Sequence, residues 1–232
     1  MFLFYTPDIA TVSELPEAES QHACRVLRMK AGDHVWHTDG RGTLYESEIL
    51  NPHPRHCQLR ILHQELQPER PFSIRIAIAP TKNIDRLEWM VEKCVEIGVD
   101  RITPLLCNRS ERRALKTERL QKIVVSAAMQ SLKTRIPLLD PLTPLDRLII
   151  DAKEQQRFIA HCREDERTPL FAAIRRGGSV VILIGPEGDF DEQEVSAALQ
   201  AGFQPVTLGQ SRLRTETAGF VACHTAILRN EE

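Results

Sequence analysis

No apolar run in this 232-residue chain approaches the ~18 residues that a membrane-spanning helix needs, so a transmembrane class is excluded. The first residues, Met1-Phe2-Leu3-Phe4-Tyr5-Thr6-Pro7-Asp8, have no basic flank and only a short apolar run, which reads against a secretory signal. No Cys-x-x-Cys pair occurs among the six cysteines, at 24, 57, 94, 107, 162 and 223. That scatter reads as reduced thiols in a cytoplasmic protein, neither a disulfide framework nor a zinc site. Gly-x-Gly-x-x-Gly and a phosphate-loop lysine are both missing, which disfavours a Rossmann dinucleotide site and a P-loop. There is no nucleophile-elbow serine and no coherent Ser-His-Asp set. Six of the eight histidines (22, 34, 37, 53, 56 and 63) fall in the first 70 residues without metal-ligand spacing, so no metal is expected. They read as surface or barrel side chains, and Trp36 and Trp89 as core. The formal net charge is only -2, so any nucleic-acid contact must come from a local patch. Internal repeats and low-complexity segments are also lacking.

What is there suits two globular domains: 42% hydrophobic and 27% charged residues. Residues 1–70 carry turn signals at short intervals, around 31–33, 38–42 and 51–54, with short alternating stretches between them. This predicts a small β-barrel or sandwich, interrupted by one helix over 17–29. Residues 67–71, polar with two prolines, read as a linker. From 71 to 232 the pattern changes to strands alternating with helices, which predicts a parallel α/β sheet. Strands are expected at 73–79, 102–106, 158–160, 180–184 and 205–208. Helices are expected from Asp85-x-x-Glu88 to a Gly98 C-terminus, over 117–133, 192–201 and 216–229.

Two small-residue turns follow two of these strands. The first is Ile184-Gly185-Pro186-Glu187-Gly188-Asp189-Phe190. The second is Leu208-Gly209-Gln210-Ser211, leading into Arg212-Leu213-Arg214-Thr215-Glu216-Thr217-Ala218. Strand, glycine turn and helix is the layout of a ligand site at the carboxyl ends of parallel strands. The acidity of the first turn would repel a pyrophosphate but tolerates a ligand with a positive centre, such as a sulfonium. Arg212 and Arg214 precede a helix, where the dipole disfavours cations, so an anion such as a carboxylate or an RNA phosphate is a more plausible partner than the helix end. Residues 101–135 hold nine basic side chains against two acidic ones, a segregation expected of an RNA-backbone footprint. Arg109, Arg112, Lys133 and Arg135 lie in it, and Arg25, Arg28 and Lys30 form a smaller basic cluster in the first domain.

The ordered series Arg25-Val26-Leu27-Arg28, Gly32-Asp33, Lys93-x-x-Glu96-Ile97-Gly98, Arg109-Ser110, Gln130-Ser131, Ile136-Pro137, Gly185-Pro186-Glu187-Gly188, Leu208-Gly209 and Leu213-Arg214-Thr215-Glu216-Thr217-Ala218 resembles the RsmE family of 16S ribosomal RNA uracil-N3 methyltransferases. The resemblance covers nearly the whole chain. It implies a PUA-like β-barrel over 1–70 and a SPOUT α/β domain over 71–232 with a C-terminal trefoil knot. It also implies a homodimer, S-adenosylmethionine as cofactor, and 16S RNA or the 30S subunit as substrate. By the same resemblance, Ile184, Gly185, Pro186, Glu187 and Gly188 line the cofactor pocket with Leu208 and Gly209. Leu213, Arg214, Thr215 and Ala218 close it. Arg214 would stabilise the uracil anion and Glu216 is one candidate base, water being the other. Three departures stand out: Asp189 replaces a usual second glycine, Met129 a usual glutamate and Lys133 a usual arginine. A knotted ribose 2′-O-methyltransferase and a non-catalytic RNA-binding protein are the rival readings.

Overall fold

The computed structural model describes residues 2–162 and 167–231. They form two compact units, residues 1–69 with 125–136, and residues 70–124 with 137–232.

The first unit is built on a four-stranded sheet: β1 (Leu3–Tyr5), β2 (His34–Thr38), β3 (Thr43–Asn51) and β4 (Gln58–Leu66), in that order. β1 pairs parallel to β2; the other pairs are antiparallel. Tyr45, Ser47 and Ile49 point inward along β3, the alternation expected when one face is covered. They join Phe4, Ile9, Leu15, Val35 and Leu59 in the core. The helix expected over 17–29 is shorter than its periodicity suggests. It runs as α1 (Glu17–Gln21), widens into a π turn (His22–Val26), and ends where Arg28 takes a left-handed φ of 56°. His37 is fully buried. Its Nδ1 and Nε2 each lie 2.8 Å from a hydroxyl, of Thr6 and Ser47, and its ring stacks on Tyr45. Burial pushes its pKa down to about 4, because the charged ring would lose its hydration. Trp36, expected in the core, is only half-buried.

Segment 125–136 completes this unit. Thr134 O accepts from Gly42 N and from Thr38 Oγ1, both at 2.9 Å, and Arg135 donates to the carbonyls of Arg41 (2.7 Å) and Gln67 (3.0 Å).

The second unit has a wholly parallel sheet. Its strands are β5 (Phe72–Ile78), β6 (Arg101–Leu106), β7 (Leu138–Leu139), β8 (Thr143–Pro144), β9 (Gln156–Ala160), β10 (Thr168–Pro169), β11 (Gly178–Ile184) and β12 (Gln204–Thr207). The order is β10-β12-β9-β11-β5-β6-β7, with β8 also on β6. Val180 to Ile184 are all buried, as a strand covered on both faces requires. The helices are α2 (Ile84–Ile97), α3 (Thr117–Gln130, which continues into the first unit), α4 (Leu145–Asp151), α5 (Leu170–Ala173), α6 (Glu192–Gln200) and α7 (Thr215–Glu231). One layer is α2 and α7, packed on each other, with α7 also on β5; Leu87, Met90 and Cys94 of α2 are buried. The other buries Leu145, Leu148, Val195 and Ala198 of α4 and α6 with Leu183 and Phe203.

Local chemistry explains the helix ends. Gly98 closes α2 at φ 103°. The start differs from expectation: Asn83 is the cap, accepting from Asp85 N, while Glu88 turns to Arg119 at 2.7 Å. Asp191 and Glu194 form a capping box on α6. Gly219 lets α7 approach β5, since a Cβ there would sit 2.7 Å from Ile78 Cδ1. Trp89 is 44% exposed, not core; it tilts against Phe220 on the outer side of α2 and α7. The short elements β7, β8, α4, β10 and α5 have no counterpart in the sequence reading, because two- to seven-residue elements carry too few periods to register.

Candidate active site

The loops at the carboxyl ends of β5, β6, β9 and β11 are tied into one platform. Glu187 accepts the Lys82 N–H at 2.8 Å, which joins the turn after β11 to the loop after β5. Arg112 donates to Thr81 O at 3.2 Å and Lys82 O at 2.7 Å. Arg109 donates to Gly188 O at 2.9 Å. Asn108 gives its backbone N–H to Glu194 and its side-chain amide to Asp191, both at 2.7 Å. The N–H of Glu194 and the Asn108 amide hold the Asp191 carboxyl below the usual range. Asp189 adopts φ 60°, the left-handed turn that a glycine would take freely and that aspartate tolerates. Its carboxylate accepts from Cys162 N and Phe190 N, both at 2.9 Å, so the side chain replaces backbone freedom with two bonds.

Above this platform lies a cavity of about 480 Å³. One wall is residues 184–189; the opposite wall is a strap, residues 212–216 with Ala218; Arg86, Ala160 and Cys162 complete it. The structure therefore brings Ile184, Gly185, Pro186, Glu187, Gly188, Leu213, Arg214, Thr215, Glu216 and Ala218 together around one space. Leu208 and Gly209 stand apart. They precede the strap, with Thr207 Oγ1 donating to Gly209 O at 2.9 Å, and are not among the residues lining the cavity. Thr215 and Glu216 are buried in the first turn of α7, whereas Arg212 and Arg214 are exposed at the rim. Glu216 Oε1 is 3.9 Å from Arg86 Nε.

Arg86, Ala160 and Cys162 were missed by sequence reasoning. Cys162 could have been found two residues past its strand. Arg86 carries a weaker signal: a cation in the first turn of a helix, where the dipole disfavours it.

The basic residues divide by what they touch. Arg109, Arg112 and Arg135 give their guanidinium groups to carbonyls. Arg25, Arg28 and Lys30 are exposed on the first unit, and Lys133 there is half-buried; none of the four has a carboxylate partner among the described residues. Among the described residues no cluster of histidine, cysteine and carboxylate could hold a metal, and no helix is long and apolar enough to cross a membrane.

The cavity's size is that of a site for a nucleoside-sized ligand. Ile184, Leu213 and Ala218 offer apolar surface, and three carboxylates, Glu187, Asp189 and Glu216, make it suited to a ligand with a positive centre.

A family model described as an RNA methyltransferase domain matches residues 68–227, and one described as an RNA methyltransferase PUA domain matches residues 15–62. The ribosomal RNA small subunit methyltransferase E of Synechocystis sp. is 32% identical over 220 residues, covering 92% of this chain and 71% of that protein. A probable rRNA-methyltransferase from Porphyromonas gingivalis superposes with a TM-score of 0.92 at 46% identity, over 98% of this chain and 99% of that one. The ribosomal RNA small subunit methyltransferase E from Neisseria gonorrhoeae, solved bound to S-adenosyl methionine, superposes with a TM-score of 0.85 at 30% identity, over 97% of this chain and 95% of that one.

Proposed function

We propose a function from one premise: the chain belongs to the ribosomal RNA small subunit methyltransferase E family. It is an S-adenosylmethionine-dependent rRNA methyltransferase, and its target is N3 of a uridine in 16S RNA within the 30S subunit. The observation that carries this reading is the cavity between residues 184–189 and the strap 212–218, at the carboxyl ends of a parallel sheet. When bound, the cofactor supplies a methyl group on a positively charged sulfur. The two walls would hold it: Ile184 on the first and Leu213 on the strap against its apolar surface, the acidic turn beside its positive centre.

The chain's own residues then have three tasks. They exclude water from a space closed by Leu213, Thr215 and Ala218 against the partner protomer. They position the acceptor, which supplies most of the acceleration, since transfer needs close and aligned reactants. They manage a proton and a charge. N3 of uracil carries an imide proton that must leave, and Arg214, at the rim, stabilises the anionic uracil oxygen that results. The N3 edge is paired in a duplex, so the target base must be unpaired or splayed out.

Residues 1–70, completed by segment 125–136, form the PUA-like barrel that holds RNA, and the rest of residues 71–232 transfers the methyl group. Arg25, Arg28, Lys30 and Lys133 bind RNA phosphate; Arg109, Arg112 and Arg135 serve by shaping the loops that present the surface. The strap from β12 back to α7 is one part of the trefoil knot, which the return of the chain from the sheet's outer strands to β5 supports. A homodimer is supported by α7: Phe220, against Trp89 of α2, is half-exposed, and Leu228 further along the helix is 44% exposed.

Calorimetry with S-adenosylmethionine, followed by transfer of a labelled methyl group to free 16S RNA and to 30S subunits, tests this reading. Binding with transfer to 30S subunits is expected; RNA binding without cofactor binding would overturn it. Arg214→Ala is expected to lower turnover about 10²-fold, as loss of an oxyanion donor does. Full activity in that variant would remove Arg214 from the mechanism.

A further inference from the structure

Three carboxylates line the cavity, and two are already committed. Glu187 accepts the Lys82 N–H, and Asp189 accepts from Cys162 N and Phe190 N. The Glu216 side chain is 10% exposed and accepts no hydrogen bond among the described residues; its only charged partner is Arg86, 3.9 Å away. That distance is too long for a direct hydrogen bond, so the carboxylate keeps its accepting capacity while an opposite charge stands beside it.

Arg86 is in the first turn of α2, where a cation is disfavoured by the helix dipole; its neighbour Asp85 has the charge suited to that position. The contact is held by packing: Gly219, one turn along α7 from Glu216, lies against Ile78 of β5 and Met90 of α2. The other charged groups that face the cavity are Arg212 and Arg214 on the strap and Glu187 and Asp189 on the turn, with the Cys162 thiol after β9. Arg212 and Arg214 are exposed and have no carboxylate partner among the described residues.

We propose that Arg86 is a positioning residue for the transfer: it holds Glu216 turned into the cavity, where Glu216 takes the proton of the acceptor nitrogen. This rests on the methyltransferase reading above. The N3–H bond breaks and the proton moves to a Glu216 carboxylate oxygen; the electron pair left on the uracil ring forms the new N–C bond while the methyl group's bond to the cofactor sulfur breaks, that pair staying on sulfur. The carboxyl group later returns its proton to solvent.

The test is single-turnover methyl transfer to 30S subunits by the complete enzyme, with S-adenosylmethionine affinity measured separately by calorimetry. Arg86→Gln is expected to lower the transfer rate about tenfold with cofactor affinity little changed, and Arg86→Lys to restore most of the rate. Added to Glu216→Gln, Arg86→Gln should cause no further loss, because Arg86 acts only through Glu216. An unchanged rate in Arg86→Gln, or losses that add in the double variant, would overturn the proposal. So would cofactor affinity falling in step with rate, since Arg86 would then be a cofactor contact. A wild-type enzyme that transfers no methyl group would overturn the methyltransferase reading itself, whereas transfer by wild type with an unchanged Arg86→Gln rate would overturn only the proposal.

Discussion

His37 in the first unit and Glu216 in the second are both buried titratable side chains, and they are treated in opposite ways. His37 has a hydroxyl on each ring nitrogen and a tyrosine against its face. Glu216 has one loose counter-charge and an open space in front of it. Burying a polar group is costly unless its bonds are made inside, so a satisfied group contributes to the fold and an unspent one needs another reason to be there. The difference separates structural from functional polarity in this molecule. The committed carboxylates Glu187 and Asp189 fall on the structural side although they line the same cavity.

Removing the unspent group should have the largest effect. Glu216→Gln is expected to slow single-turnover methyl transfer about 10²-fold or more, the scale of lost general-base catalysis, with little change in thermal stability. A rate within threefold of wild type would place Glu216 with the structural carboxylates. The satisfied group should behave in reverse, through stability and pH. The folded His37 stays neutral down to about pH 4, whereas an unfolded histidine takes its proton near 6.5. Its contribution is therefore fully present above pH 6.5 and is lost as the pH falls towards 4, roughly 3 kcal/mol in all. Urea unfolding of wild type and His37→Gln across that window checks this: the profile should flatten in the variant, and an equally steep profile would contradict it.

A smaller effect is expected at Glu187. Glu187→Ala leaves the Lys82 N–H without its acceptor and loosens one wall, so cofactor affinity should fall about tenfold, as for a lost charged hydrogen bond, with a normal pH profile. Calorimetry measures it, and a shifted profile would argue for a chemical role instead. The smallest effect is expected at Asp189. Asp189→Gly removes two bonds but relieves the left-handed backbone, and the opposing terms should leave stability within about 1 kcal/mol. A larger loss by thermal denaturation would mean that the bonds outweigh the backbone.

Much of this was legible in the sequence. The buried run before Gly185 carries a strong local pattern, so the parallel sheet and the turn after β11 could be read from spacing, while the place of Leu213 to Ala218 at the cavity came from the family resemblance. What could not be read depends on partners distant along the chain. Arg109, Arg112 and Arg135 read as part of an RNA footprint, and spacing could not record the backbone carbonyls to which they also donate. Arg86 became a site residue only because α7 returns to lie against α2. Residues 125–136 span the end of a regular helix and the loop after it, and nothing local announces that they join the first unit through Thr134 and Arg135. Trp89 matched a core residue by type and position, yet it lies on the outer side of its helix, against Phe220.

The most direct test is chemical: transfer labelled methyl groups to unmethylated 30S subunits, digest the 16S RNA, and locate the label by mass spectrometry. The account predicts one labelled uridine with the methyl group on the base at N3. A methyl group on the ribose 2′-oxygen, or no label at all, would contradict it.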